Sequence, residues 1–238
     1  MSDYQKGFVL GVLGGSGGVG ATALATACAV RAAAAGREAV LVDGHPWGGG
    51  IEVMAGVDAV PGLRWADLAG VRGDVEPDRL LAELPTRQPG LRCLSWGSRP
   101  PTGDPPGPSP IVPALSRDGR LVVVDLPRPA ARSHHEQWWQ SCDQILVVVD
   151  ASVVGISAAA VLAEDLPPGW GVVLRAPSTL DDADVMTAVG APVLARLRDD
   201  DIVSRCLERG DPVGSHQGPL RDAADELLSV VLPAVRAA

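Results

Sequence analysis

A glycine-rich turn, GGSGGVGAT at residues 14–22, constrains the fold of this chain more than any other stretch. It follows a short, continuously apolar run, Phe8–Leu13, and leads into an Ala-rich stretch, 22–35, with no helix breaker before Gly36. A strand, a glycine turn and a helix in this order bring backbone N–H groups together at a helix N-terminus, where the helix dipole also favours an anion. The turn therefore predicts a phosphate-binding loop, although Ala21 stands where such a loop carries its lysine.

Short apolar runs recur along the chain, each bounded by turn residues. They are Phe8–Leu13, Ala39–Val42, Leu121–Val124, Ile145–Val149, Val172–Leu174 and Val193–Leu197, with Leu91–Ser95 as a weaker seventh. Because they are apolar without alternation, they indicate strands buried on both faces of a parallel sheet. Helical stretches lie between them, and this order predicts an α/β fold with a doubly wound, mostly parallel sheet. A length of 238 residues is enough for one core, so we expect a single domain over residues 1–238.

Two helical stretches show an apolar face that we expect to pack on this sheet. One face consists of Val154, Ala158, Val161 and Leu162, and the other, in a helix over 220–236, of Leu220, Ala223, Ala224, Leu227, Leu228 and Val231. Residues 98–113 are instead rich in proline and glycine. Since proline fixes φ and removes hydrogen-bond donors, this segment predicts an exposed surface loop inside the domain.

The charge balance limits the classes of partner. A net charge of −9 argues against direct binding of nucleic acid, which needs a basic face. Lys6 is the only lysine among the 20 basic residues. No apolar signal region follows the polar N-terminus and no run approaches the ~20 apolar residues that span a bilayer, so we expect a cytoplasmic protein without direct membrane insertion. The four cysteines show no metal-binding spacing, which is typical of small buried side chains in a reducing compartment.

Two interpretations of the glycine turn remain open on its residues alone. Against the pattern GxxxxGK[ST], residues 15–22 match both glycines and the final threonine and miss only the lysine. Thr22 would then offer a hydroxyl to Mg²⁺. Against GxGxxG, the match is Gly15-x-Gly17-x-x-Gly20, and Asp43 falls where a dinucleotide-binding fold places the acid that binds a ribose of NAD(P).

An acidic residue at the tip of a hydrophobic strand favours the first interpretation. Asp125 ends the run Leu121–Val124, and nucleotide hydrolases use an acid in this place to hold Mg²⁺. The alternative is an aspartate that only stabilises the turn after a strand.

With these residues in place, the sequence resembles the deviant Walker ATPases of the MinD/ParA group. Residues 15–22 align without gaps on the loop G-K-G-G-V-G-K-T of that group, Asp43 falls on the first acid of its switch I, and Asp125-Leu126-Pro127 on the Asp-x-Pro of its switch II. Residues 142–154 and 193–213 are similar to later segments of the group. The resemblance covers nearly the whole chain in the right order, and within the group it is closest to the CpaE-like/TadZ branch and the septum site-determining (Ssd) proteins.

The resemblance implies a site for ATP or ADP with Mg²⁺. It assigns nucleotide contacts to Gly15, Ser16, Gly17, Gly18, Val19, Gly20, Ala21, Thr22, Ala23 and Arg175. It assigns Mg²⁺, directly or through water, to Thr22, Asp43 and Asp125, and the two aspartates are the catalytic candidates if the protein is active.

Four departures weaken the expected chemistry. The signature lysine of the group, which reaches across a dimer to the partner's phosphates, is Ser16, and the lysine inside the loop is Ala21. The second acid of switch I is His45, and the asparagine expected beside the adenine is Leu174. Since a charge-assisted hydrogen bond contributes about 1.5–3 kcal/mol, losing two of them weakens ATP binding by about two decades or more. We therefore expect a degenerate site with weak or absent hydrolysis.

The resemblance implies a spatial regulator or localisation factor of cell division or of pilus or secretion machinery. We expect protein partners from such a complex, a homodimer, and recruitment to the inner membrane face by a partner. Two alternatives stay open: an active ATPase that uses an arginine in place of the missing lysines, and an NAD(P)-binding protein of the Rossmann type.

A second polar and aromatic stretch follows Asp125. His134 and His135 are adjacent, so they point to different sides of a helix and do not predict a metal pair. Trp138 and Trp139 suggest either a patch that faces a partner, since tryptophan is enriched at hot spots, or ordinary core packing.

Overall fold

The computed structural model describes residues 7–47, 50–97, 105–128 and 132–232, with side chains for all of them except 132–135. Within these residues seven strands form one sheet, and every pair of neighbours is parallel. The strands are β1 (Phe8–Gly14), β2 (Ala39–Asp43), β3 (Leu91–Leu94), β4 (Leu121–Leu126), β5 (Gln144–Val149), β6 (Gly171–Ala176) and β7 (Val193–Arg198).

The strand order is β3-β2-β4-β1-β5-β6-β7, so β4 lies between β1 and β2. The register pairs Val12 of β1 with Asp125 of β4, and Asp43 of β2 with the same Asp125. Since parallel strands end at one edge, the glycine turn after β1 and both aspartates meet at the carboxyl edge of the sheet. The strand order therefore positions the candidate site.

Helices cover both faces of the sheet. They are α1 (Ala21–Ala34), α2 (Ile51–Met54), a 3₁₀ turn (Trp65–Leu68), α3 (Pro77–Glu83), α4 (Ile111–Leu115), α5 (Arg132–Gln140), α6 (Val153–Ala163), α7 (Asp182–Val189), α8 (Ile202–Arg209) and α9 (Pro219–Val231). Successive strand residues point to opposite faces, so Leu10 packs in the core layer that holds α1 and α9, whereas Val9 packs in the layer that holds Trp65 and Trp138.

The predicted fold class is confirmed. Each of the seven apolar runs, including the weaker one at 91–95, overlaps a strand, and the doubly wound sheet is parallel throughout. These strands were predictable because burial on both faces demands continuous apolar residues.

One of the two predicted helix faces required a correction. Val154 and Val161 are 78% and 67% exposed, so the predicted packing face of α6 is wrong at these two positions, whereas Leu162 packs against the core. Gly155 and Ala159 are its buried residues, and Ile156 and Ala160 pack against the same core while partly buried. Because the helix is apolar on nearly every side, its sequence contains no signal that identifies the buried face. In contrast, the predicted face of α9 is confirmed at Leu220, Ala223, Ala224 and Leu227, which are buried.

The proline-rich segment is described only in part. Residues 98–104 lie outside the described residues, and α4 begins at Ile111, inside the predicted loop 98–113. Ile111 and Val112 are buried against the sheet. The loop is therefore shorter at its C-terminal end than the proline content predicts.

A cluster of buried tryptophans supports the end of β2. Trp65, which is fully buried, stacks on Trp96 at 5.7 Å between ring centroids and meets Trp138 edge-on at 5.8 Å. Trp65 Nε1 and Trp96 Nε1 both donate to the Asp43 carbonyl, at 2.7 and 3.2 Å. Because Trp138 and Trp139 are only 6% and 2% exposed, core packing explains them, and the hypothesis that they face a partner is wrong.

We expect Trp65→Phe to lower the free energy of unfolding by about 2–3 kcal/mol, because it removes a buried hydrogen bond and part of a packed aromatic surface. Urea denaturation followed by circular dichroism measures this change. Trp47→Phe is the matched control, since Trp47 is 72% exposed and its replacement should leave stability unchanged. Equal stability of the two variants would contradict a supporting role for the cluster.

Candidate phosphate-binding site

The glycine turn forms a loop between β1 and α1 whose backbone only glycine adopts easily. Gly18 and Gly20 have positive φ angles, 74° and 91°, and Gly20 precedes the first residue of α1. The Gly15 amide donates to the Val148 carbonyl of β5 at 2.9 Å, which anchors the start of the loop to the sheet. The first turn of α1 presents backbone N–H groups that no helical carbonyl accepts, so the loop and helix together form an anion-binding end.

The loop forms the wall of a cavity of about 360 Å³. Its lining residues are Gly14, Ser16, Gly17, Gly18, Val19, Gly20, Ala21, Thr22, Ala23, His45, Met54, Asp125 and Arg128. Most of the predicted nucleotide-contacting residues therefore lie together, and Thr22 and Asp125 face the same space.

Asp125 is a buried carboxylate without a full set of partners. Its side chain is 3% exposed, and its Oδ1 makes no hydrogen bond within the described residues. Burial raises the pKa of Asp125 to about 7, and the Thr22 hydroxyl, which interacts with the carboxylate, opposes this shift. His45 Nε2 lies 3.8 Å from Oδ1, too far for a hydrogen bond.

Asp43 is buried beside Asp125 and does not line the cavity. It is 3% exposed, and its Oδ1 accepts from the His45 amide at 2.9 Å. Burial raises the pKa of Asp43 to about 7, the His45 amide lowers it, and the nearby Asp125 raises it further. The structure therefore brings Asp43 next to Asp125, but on a strand that β4 separates from the glycine loop.

His45 links the tips of β2 and β4. Burial lowers the pKa of its imidazole, while Asp43 and an interaction with the Leu126 backbone oppose that shift. The ring is therefore mainly neutral near pH 7. It replaces the acidic residue expected at this position with a group that can contact Asp125 without adding negative charge.

Arg175 lies beside the loop and outside the cavity. Its guanidinium is within 3.7 Å of the place where a side chain on Gly20 would begin, and it forms an ion pair with Asp199. Leu174, the preceding residue of β6, is fully buried. Arg175 is thus close to the loop, as predicted, but an acidic side chain already pairs with its charge.

Two residues that line the cavity, Met54 and Arg128, were not predicted from the sequence. Arg128 is exposed and lines the cavity three positions after Asp125. The sequence signal for Arg128 was its position just after the end of β4. Residues there lie at the carboxyl edge of the sheet, which is also where the glycine loop lies. Lys6, His134 and His135 fall outside the residues or side chains that the structure describes.

The lining residues fit a phosphate with a bound Mg²⁺. The unpaired Oδ1 of Asp125 and the Thr22 hydroxyl are the hard oxygen ligands that Mg²⁺ prefers, and the loop supplies N–H groups for phosphate oxygens. In the described part of the chain no three His, Cys, Asp or Glu side chains form a cluster that could bind a metal ion by themselves. Cys28, Cys93, Cys142 and Cys206 are free thiols. The site therefore suits a metal ion that arrives with phosphate oxygens.

Sequence comparison finds two relatives of this chain but no matching family. No protein-family model matches it. Two uncharacterized proteins from Mycobacterium tuberculosis strains are 35% identical over 230 residues, which cover 94% of this chain and 64% of each relative. This chain thus spans less than two thirds of the length of those relatives.

Solved structures agree over nearly the whole chain. A ParA family ATPase from Chlorobium tepidum superposes with a TM-score of 0.74 at 17% identity and covers 94% of this chain and 98% of its own. The septum site-determining protein MinD from Pyrococcus horikoshii, solved with Mg-ADP, has a TM-score of 0.70 at 18% identity over 92% of this chain and 93% of its own. This chain has the ParA/MinD fold.

The ParA/MinD fold explains why a P-loop interpretation suits the glycine turn. In a Rossmann dinucleotide fold β1 and β2 are neighbours, whereas here β4 separates them. Asp125, rather than Asp43, therefore lies beside β1.

A helix that spans a bilayer must be both long and continuously apolar, and none of the helices in the described ranges meets both conditions.

The pKa of Asp125 generates a prediction about stability. Its folded-state pKa of about 7 lies above the unfolded value of 3.8, so the folded protein binds more protons between these pH values. The contribution of this carboxyl group to the free energy of unfolding is complete below about pH 4 and is lost as the pH rises toward 7. Asp125→Asn removes the titration, so we expect it to raise the free energy of unfolding by roughly 2–4 kcal/mol at pH 8 in Mg²⁺-free buffer.

Urea denaturation at pH 5 and pH 8 measures the difference between Asp125→Asn and the parent protein. Asp58→Asn, at an exposed position, is the control that removes one carboxylate without removing a buried one. The gain should shrink at pH 5, where the parent carboxyl is protonated. A gain of the same size at both pH values would contradict the raised pKa.

Proposed function

We propose that this chain is a nucleotide-binding protein with weak or absent ATP hydrolysis that acts as a localisation factor. The observation that carries the proposal is the meeting of the glycine loop, Thr22 and the unpaired Oδ1 of Asp125 around one cavity. This arrangement has the ligands for a Mg²⁺-bound polyphosphate. It lacks the two lysines that the resemblance predicts.

Binding is supported by groups that do not depend on lysine. Backbone N–H groups at the start of α1 donate to phosphate oxygens, and Gly17 and Gly18 have open space in front of them, so phosphate can approach the backbone closely. Asp125 and Thr22 would hold Mg²⁺, with Asp43 behind them as a ligand through water. ATP and ADP are the proposed ligands.

Loss of hydrolysis is supported by the two replaced positions. Ser16 and Ala21 both line the cavity and carry no charge. A cation that stabilises the phosphoryl-transfer transition state contributes about 10³–10⁵ in rate. Because neither loop position carries a cation, the loop itself offers only backbone N–H groups to the negative charge that develops on the transferred phosphate.

The proposed role is the positioning of a division complex or of pilus or secretion machinery. It is supported by the sequence resemblance to the CpaE-like/TadZ and Ssd branch and by the fold shared with a septum site-determining MinD. We propose that residues 1–238 act as one unit, through protein partners and a homodimer. Since the relatives extend beyond the aligned region, this role concerns the matched portion.

An active ATPase is the second candidate, because Arg128 lines the cavity from which both lysines are missing. An NAD(P)-binding function has no such support. The acid it would use, Asp43, is buried, and β4 separates β2 from the loop. The two remaining candidates, a localisation factor with weak or absent hydrolysis and an active ATPase, differ in their rate of ATP hydrolysis.

Isothermal titration calorimetry with Mg-ATP and Mg-ADP tests the proposal, combined with a phosphate-release assay. We expect a Kd below about 1 mM, equivalent to about −4 kcal/mol, and turnover below about one per minute. Asp125→Asn should weaken the Mg²⁺ dependence of binding, whereas the exposed Asp58→Asn should not. Absence of binding at millimolar nucleotide would refute the nucleotide site, and faster turnover abolished by Asp125→Asn would establish an active ATPase instead.

A further inference from the structure

The cavity beside the glycine loop contains a cation that the loop itself lacks. Among its described lining residues Arg128 carries the one guanidinium, and Ser16 and Ala21 occupy the positions where lysines were expected. Arg175 is also near the loop, but it lies outside the cavity and pairs with Asp199. Arg128 is therefore the cation placed to meet a bound phosphate.

The backbone that carries Arg128 is fixed by contacts between the tips of β2 and β4. The Gly44 amide donates to the Asp125 carbonyl at 2.9 Å. A side chain on Gly44 would lie 2.6 Å from that carbonyl oxygen and 2.7 Å from Pro127 Cδ, so the two tips touch. His45 interacts with the Leu126 backbone, and Pro127 restricts φ just before Arg128.

The acidic groups of the site favour a cation. Asp125 lines the cavity, and Asp43 lies next to it on the neighbouring strand β2. A nucleoside triphosphate adds further negative charge, and the glycine loop offers only backbone dipoles to offset it. A planar guanidinium suits this position, since it can donate two parallel hydrogen bonds to one phosphate.

His45, Asp125 and Arg128 come from the ends of β2 and β4, and they line the cavity together with the glycine loop. Asp125 and Thr22 would hold the metal ion that accompanies the outer phosphates of a triphosphate, so Arg128, which lines the same cavity three residues after Asp125, would be on the side of the terminal phosphate. We propose that Arg128 binds the terminal phosphate of a nucleoside triphosphate and replaces, within the same chain, the charge of the missing lysines. The inference rests on the proposed nucleotide-binding function and adds to it a preference of the site for a nucleoside triphosphate over a diphosphate.

Calorimetric titration of Mg-ATP and Mg-ADP into the parent protein and Arg128→Ala tests this assignment. We expect Arg128→Ala to raise the Kd for Mg-ATP by about tenfold to a hundredfold, the effect of losing a charge-assisted hydrogen bond. The Kd for Mg-ADP should change by less than about threefold on the same scale. Arg128→Lys should recover part of the loss, because it restores the charge without the planar fork.

Arg79→Ala is the matched control, since Arg79 is exposed on α3 and does not line the cavity. It should leave both constants unchanged. A parent protein that binds ATP while Arg128→Ala binds it equally well would overturn this assignment alone. Equal losses for ATP and ADP would also overturn it, because the contact would then be with a phosphate that both share. A parent protein that binds neither nucleotide would refute the proposed function itself.

Discussion

The burial of Asp125 at the carboxyl end of β4 is the constraint on which the candidate site depends. Its Oδ1 has no hydrogen-bond partner within the described residues, and burial raises the pKa of the side chain to about 7. An unpaired buried acceptor costs about 1–3 kcal/mol, so a fold keeps one where a ligand completes it. The glycine loop, Thr22 and His45 line the same cavity as this carboxyl group, so a metal ion bound there would complete the coordination of Oδ1.

Geometry and charge are separate properties of this loop. The positive φ angles of Gly18 and Gly20 and the anchoring of Gly15 to β5 preserve the cradle of a phosphate-binding loop. The side chains at 16 and 21 carry no charge, and the cation in the cavity comes from the segment after β4. In this account the backbone determines where a polyphosphate binds, and side chains from neighbouring strands determine how tightly.

The sequence was informative where a single local rule decides the outcome. Continuous apolar runs predicted all seven strands, and the glycine spacing predicted the loop, because both follow from backbone chemistry. The buried face of α6 was not predictable, since a helix that is apolar on every side has no preferred face. The presence of Arg128 in the cavity and the absence of Asp43 from its lining depend on the order of β2, β4 and β1 in the sheet. No local sequence pattern specifies that order.

Restoring the lysine at position 21 tests most directly whether the cradle is intact and only its charge is missing. Ala21 lines the cavity, so we expect Ala21→Lys to tighten Mg-ATP binding by about tenfold or more, as a charge-assisted hydrogen bond would. Ala34→Lys adds the same charge at the exposed far end of α1 and should not change the Kd. Calorimetry in which Ala21→Lys binds no tighter than Ala34→Lys would contradict the account, because the loop would then have lost its geometry as well as its charge.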